Sequence, residues 1–153
     1  GMPEERLPAD QVNLRAGRSV LEALRPGVEL NSLEHFLNVD DVAVLRPVYL
    51  TEEQRLASLV RGFQQIGKEY DFNFEVETSS KIVCSELPYH VYPDVPWRTE
   101  EQLGRFTISP DDIASLAYLE PPLFEVILLY HDGVRVPDDE ARSRMAALMA
   151  EGA

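Results

Sequence analysis

The sequence predicts an α+β domain in which a small antiparallel sheet packs with helices. Three observations carry that expectation. Short apolar runs are bounded by glycine, proline and an Asp-Gly pair, as the strands of a meandering sheet are. Between those runs, Thr51-Glu52-Glu53-Gln54 and Ser109-Pro110-Asp111-Asp112 have the form of capped helix starts. The chain has 153 residues, enough for one hydrophobic core and too few for two comfortable ones, so residues 1–153 are expected to form a single domain. Gly1 stands ahead of Met2 as a residue left by tag cleavage would, and it is excluded from fold reasoning.

Val12 to Leu14 and Ser19 to Leu24 read as two short strands. Arg15-Ala16-Gly17-Arg18 joins them, with glycine supplying the positive φ of a tight connection. Pro26-Gly27 ends the second strand, and Asn31 or Ser32 caps a short helix through Leu37. Val42 to Leu45 follows as an apolar strand. From Thr51 the apolar residues Leu56, Leu59, Val60 and Phe63 repeat at the spacing of one helix face, and Gly67 suits the C-terminal cap. Tyr70 to Ser80 reads as an irregular connection into Ile82-Val83-Cys84.

A helix is expected from Cys84 to about Val91, with Pro88 tolerated near its first turn and Pro93 and Pro96 ending it. The helix that starts at Ser109 is short because Pro121-Pro122 stops it. Phe124 to Tyr130 is a β-rich run, and His131-Asp132-Gly133 followed by Val134-Arg135-Val136 makes an Asp-Gly hairpin. A terminal helix is expected over 138–153, its Met145, Leu148 and Met149 forming a modest apolar stripe for packing on the domain or on a second copy.

The 27 acidic and 14 basic residues give a formal charge of −13, which repels polyphosphates and anionic lipid, so no nucleic-acid partner is expected. No apolar run approaches the roughly 20 residues of a membrane span, and the start lacks the form of a signal peptide. The expectation is a soluble chain, cytoplasmic by default. One cysteine cannot make an intramolecular disulfide and excludes a Cys-rich metal site; neither metal nor cofactor is expected. A lone cysteine is ordinarily a small buried hydrophobe. Overturning that reading takes a helix N-terminus and a nearby base, both of which favour thiolate. Glu86, an anion in the same turn, opposes thiolate unless its side chain points away.

Four separated segments together resemble the permuted papain-like amidases of the YaeF/YiiX type, relatives of the NlpC cell-wall peptidases. Ser19-Val20-Leu21-Glu22-Ala23 followed by Gly27-Val28 is similar to that family's glutamate strand, and Val44-Leu45-Arg46-Pro47 to the strand after it. Gly67-Lys68-Glu69-Tyr70-Asp71-Phe72-Asn73-Phe74 is similar to its glycine-to-aromatic loop, and Val83-Cys84-Ser85-Glu86-Leu87 to its nucleophile helix. The match spans roughly residues 11 to 95. It implies a papain-like fold with the nucleophile at a helix N-terminus, Cys84 as nucleophile, and Glu22 as the residue that orients a histidine. Tyr70 would border the pocket, with aromatic packing as its other reading. Backbone N–H groups at the start of the Cys84 helix would be the oxyanion donors.

One part of the pattern is missing. The family's histidine belongs to a strand upstream of the glutamate strand, and no histidine precedes His35. His90 lies six residues after Cys84, about 9 Å along a helix axis and well round the cylinder, and is set aside as a surface or packing residue. His35 reads as solvent-facing or capping, and His131, beside a turn, likewise. Either an N-terminal strand segment is lacking or catalysis has been lost. The expected function is a cysteine hydrolase of amidase or peptidase type, acting on an amide- or acyl-containing small molecule or peptide. The alternatives are a non-catalytic binding or assembly module, with homo-oligomers formed through an open sheet edge, and a purely structural domain.

Overall fold

The structure, a computed structural model, describes residues 17–70, 81–97, 100–102 and 105–151. The strand expected over Val12 to Leu14 lies outside them. Among the described residues, β1 (Arg18–Ala23) pairs antiparallel with β2 (Val28–Ser32), with Leu21 opposite Leu30 and Ala23 opposite Val28. Gly17 has the expected positive φ of 85°. The pairing that defines this hairpin turns at Leu24 to Gly27, where the Leu24 N–H donates to the Gly27 carbonyl at 3.0 Å. Pro26-Gly27 ends the expected strand, and β2 is not expected from the sequence, because Val28-Glu29-Leu30-Asn31-Ser32 carries only two apolar residues. Those two are the buried ones, as alternation on a half-covered sheet requires.

Ser32 then caps α1 (Leu33–Phe36), its Oγ accepting from the His35 N–H at 3.1 Å. The apolar β3 (Val42–Pro47) leads to α2 (Glu52–Gln65), which begins with the expected capping box. The Gln54 N–H donates to Thr51 Oγ1 at 3.2 Å, and the Thr51 N–H to Gln54 Oε1 at 2.9 Å. Gly67 has φ 86°, but its N–H does not turn back to the helix; it donates to the Val28 carbonyl at 2.9 Å.

That bond belongs to a junction. Val28 donates to the Lys68 carbonyl and Tyr70 to the Pro26 carbonyl, both at 2.9 Å, and Gly27 bridges Glu69. β4 (Glu69–Tyr70) continues this segment and pairs parallel with β5 (Lys81–Ile82), Tyr70 against Ile82. Tyr70 therefore ends a short strand; the rest of the connection read as irregular, residues 71–80, lies outside the described residues. β5 runs by way of Val83 and a turn at Cys84-Ser85 into α3 (Glu86–Val91). Ile82 and Leu87 pack with Ala23 and Val28 in one buried cluster, with Leu21 and Val91 against it. Sequestering a side chain the size of Ile82 contributes about 2 kcal/mol.

The second half has its own cluster. β6 (Glu100–Gln102) and β7 (Arg105–Thr107) pair antiparallel, and α4 (Pro110–Tyr118) starts at Ser109 with proline at its first position. β8 (Phe124–His131) pairs with β3 and with β9 (Val134–Arg135), and α5 (Ala141–Glu151) closes the chain. Both residues of the β8–β9 turn, Asp132 (φ 49°) and Gly133 (φ 70°), have the positive φ that a two-residue hairpin demands. Ala117, Phe124, Leu129, Ala141 and Met145 are buried together, with Met149 packed against them. The terminal helix starts at Ala141, three residues later than expected, because the Glu140 N–H donates to the Pro137 carbonyl and holds Pro137 to Glu140 as a turn.

Helix α2 packs inward through its small and polar side. Its buried residues are Ser58, Gly62 and Gln65, while Leu56, Leu59 and Val60 are 59%, 60% and 58% exposed. No residue of α2 belongs to either buried cluster among the described residues. Gly62 explains how the small side packs: a Cβ there would stand 3.2 Å from Leu21 Cδ2, so glycine lets the helix lie close against β1. The polar groups on that side are answered within the helix, Ser58 Oγ donating to the Arg55 carbonyl at 2.7 Å and Gln65 Nε2 to the Arg61 carbonyl at 3.1 Å.

At Gly27 a Cβ would lie 2.2 Å from the Lys68 carbonyl oxygen, a backbone atom held by its own hydrogen bond. Gly27→Ala is therefore expected to destabilise by about 2–3 kcal/mol. Urea unfolding checks it: an unchanged midpoint would show that the junction does not hold the sheet together.

Candidate active site

Glu22 lies on β1 between Leu21 and Ala23. Those two face the buried cluster, so strand alternation turns Glu22 to the other face. There it is opposite Glu29, an unfavourable pairing of like charges. Asn31 relieves it, Nδ2 donating to Glu22 Oε2 at 2.6 Å and reaching Glu29 Oε1 at 3.5 Å. His35 Nε2 stands 4.0 Å from the same Glu22 oxygen; the imidazole is exposed and the carboxylate largely covered. His35 is solvent-facing as expected, and it also borders Glu22. Its position, one turn into a helix capped by Ser32, was the available signal. Asn31 gave none.

Cys84 is exposed. Its neighbours are not: Val83, Ser85, Glu86 and Leu87 are all buried, so the thiol is the outward-facing point of an otherwise covered turn. The turn is held from both sides. The Val83 N–H donates to Glu86 Oε2 at 3.0 Å, and the Val83 carbonyl accepts from the N–H groups of Glu86 and Leu87 at 3.1 and 3.2 Å. Two sequence expectations change here. The helix begins at Glu86, with Cys84 in the turn before it, and the first helical N–H groups, expected to be oxyanion donors, are committed to Val83. The Glu86 carboxylate, with 1% of the residue exposed, is turned back to the backbone it caps.

Tyr70 is half-buried on β4, beside the strand that feeds Cys84. The structure thus brings Tyr70 near the Cys84 turn and gathers Glu22, Asn31 and His35 on the outer face of the hairpin. Along the paired segments, Glu22 is separated from β5 by β2 and β4. Among the described residues no hydrogen bond or ion pair joins Cys84 to an imidazole.

The other two histidines have separate settings. His90 is partly buried on α3, edge-on to Tyr89 with ring centroids 5.4 Å apart, and its Nε2 is buried with no hydrogen-bond partner among the described residues. Burial first, and the Lys68 ammonium second, pull its pKa below the ordinary 6.5. His131 Nδ1 lies 2.7 Å from Asp41 Oδ1, with Nε2 3.5 Å from Asp132 Oδ2. The hydrogen bond from His131, helped by the Asp132 N–H, holds the Asp41 carboxyl below its usual range. Asp41, His131 and Asp132 can each offer a ligand atom to a cation within 4.8 Å of one another. The contacts among them are those of a histidine bonded to the loop that anchors the β8–β9 turn, where the Gly133 N–H also donates to the Asp40 carbonyl at 2.8 Å. No described helix is long and apolar enough to cross a membrane.

Comparison with known proteins identifies the class. A profile of permuted papain-like amidase enzymes, the YaeF/YiiX or C92 family, matches residues 6–145. The chain belongs to the permuted papain-like amidase family. Its helices and small, mainly antiparallel sheets are this chain's version of the papain-like fold. Among solved structures it is similar to the crystal structure of metalloprotein YiiX from Escherichia coli O157:H7. The two are 22% identical, with a TM-score of 0.48, over 81% of this chain and 69% of that one. No curated protein matches.

The lowered pKa of His90 fixes the sign of one pH effect. The unfolded chain takes up the proton first, so His90 contributes stability above about pH 6.5 that is lost as pH falls toward the folded value. His90→Gln should flatten the fall of the urea midpoint just below pH 6.5 relative to the unsubstituted chain. Parallel profiles for the two proteins would count against a buried neutral imidazole.

Proposed function

We propose that this chain is a cysteine hydrolase of amidase or peptidase type that attacks an amide or related acyl bond through Cys84. The observation that carries the reading is the exposed thiol on a turn whose other residues are buried, in a member of an amidase family. A thiol so placed is open to a substrate carbonyl while its backbone stays fixed, which is the condition for in-line attack. The sulfur adds to the carbonyl carbon, the amine or alcohol leaves with a proton, and water then cleaves the thioester to restore the thiol. With the N–H groups of Glu86 and Leu87 engaged, oxyanion stabilisation falls to those of Cys84 and Ser85. Tyr70, on the adjoining strand, is proposed to border the acyl group. Glu22 is proposed as the carboxylate that orients an imidazole, and His35 is the imidazole next to it among the described residues.

A second reading, a non-catalytic binding or assembly module, is favoured by the lack of a hydrogen bond between Cys84 and a histidine among the described residues. Labelling separates the two. With an activated aryl ester or acyl amide as probe, the hydrolase reading expects one acyl group on Cys84 by mass spectrometry, followed by turnover. Cys84→Ala should abolish both, and Glu22→Gln should slow acylation by about 10²-fold. His35→Ala should match Glu22→Gln if the two act as a pair. Labelling of Cys84 no faster than a free thiol, without turnover, would leave the binding module as the function.

A further inference from the structure

Asn31 stands where two carboxylates and an imidazole meet. Along β2 the buried residues are Val28 and Leu30, so Glu29 and Asn31 share the opposite face, the one that Glu22 occupies on β1. The register sets Glu22 directly across from Glu29, which makes Asn31 its diagonal neighbour. The Asn31 amide nitrogen lies 2.6 Å from Glu22 Oε2 and 3.5 Å from Glu29 Oε1. Both neighbours are acceptors, so it is the NH2 group of the amide and not its carbonyl that faces them. The division is unequal. Glu22 receives a short, charge-assisted bond, while the approach to Glu29 is at the limit of one. The oxygen that takes the short bond is the same Oε2 that faces His35 Nε2 at 4.0 Å.

We propose that Asn31 is a positioning residue of the Cys84 site: it selects Glu22 over Glu29 as the carboxylate presented to the imidazole, and it fixes the oxygen that His35 meets. The catalytic part of this rests on the hydrolase reading given above. A glutamate side chain is flexible, and a like charge directly across a strand pair drives it away from its partner. The two glutamates differ in what can hold them. Glu29 is exposed and is served by solvent, whereas the Glu22 side chain is only 12% exposed. The amide therefore matters most where water reaches least. Without it, a largely covered carboxylate loses its donor while still facing Glu29, and it relieves both by turning out to solvent and away from His35. With it, the carboxylate is set before the ring is used, so orienting the imidazole needs no rearrangement during the reaction.

Two readouts test the proposal, one of geometry and one of reaction. In isotope-labelled protein at fixed pH, Asn31→Ala should move the ring-nitrogen resonances of His35 in the same direction as Glu22→Gln does, and should move them no further when added to Glu22→Gln. With the activated aryl ester as probe, Asn31→Ala should slow acylation of Cys84 about tenfold, in the maximal rate and not in KM. Asn31→Asp keeps the size of the side chain and loses its N–H groups, so it should slow acylation at least as much. Glu29→Gln removes the like charge and supplies an amide from across the strands, and it should recover most of the loss in Asn31→Ala. His35 resonances indifferent to Asn31→Ala would overturn the proposal. So would a kinetic loss that adds in full to that of Glu22→Gln, or the absence of recovery with Glu29→Gln. A chain whose His35 responds as expected while Cys84 is never acylated would overturn the hydrolase reading and uphold Asn31 as the residue that sets Glu22 against His35.

Discussion

The organisation of the first half depends on one close approach, that of Gly27 and Val28 to the backbone of residues 67–70. Three hydrogen bonds of 2.9 Å cross it, and the space left at Gly27 admits no side chain. Through it the hairpin that carries Glu22 joins the strand pair that carries Tyr70 and leads to Cys84. These segments are too short to be stable alone, since a two-stranded pair is marginal in water. Joined, they bury Ile82, Ala23, Val28 and Leu87 in one cluster and fix the Cys84 turn to the same frame as the glutamate strand.

The Cys84 turn shows how an exposed side chain can stand on a backbone held by buried neighbours. Ordinarily exposure and mobility go together, because what faces solvent makes few contacts. Here the flanking residues take the burial and Cys84 alone faces out. The Glu86 carboxylate, tied to the Val83 N–H, replaces the side-chain cap that Ser85 does not provide. Its carboxylate thus reaches back to the start of the turn. Glu22 meets a comparable problem, a like charge opposite, by sharing the amide of Asn31 with Glu29.

What could be read from residue order was local. The capping box at Thr51, the serine cap at Ser109, the Asp-Gly hairpin and the proline stops depend on interactions within four residues, and all are present. The order of motifs also sufficed to identify the family. The orientation of α2 was not legible, because periodicity says which residues share a face and not whether that face looks inward. Gly62 was the clue: a glycine midway along a helix costs about 1 kcal/mol unless something needs the room, and here Leu21 needs it. β2 was missed because two apolar residues in five look weak until their partners Leu21 and Ala23 are known. The approach of His35 to Glu22 likewise depends on the hairpin register, which brings residues thirteen apart onto one face.

Trp97 links these observations to what can be watched in solution. It is the single tryptophan, with its indole N–H given to the Tyr92 carbonyl at 2.9 Å and its ring 5.9 Å from that of Phe124. It therefore sits against the C-terminal cluster, while the Cys84 turn packs in the other. Indole emission will follow the environment of Phe124 and β8 and stay silent on the hairpin that bears Glu22. Cys84, as the single thiol, is a natural second reporter, seated in the half that the tryptophan does not see. An environment-sensitive label on that exposed thiol would follow the first cluster as the indole follows the second, and coincident transitions would show that the two halves unfold as one unit.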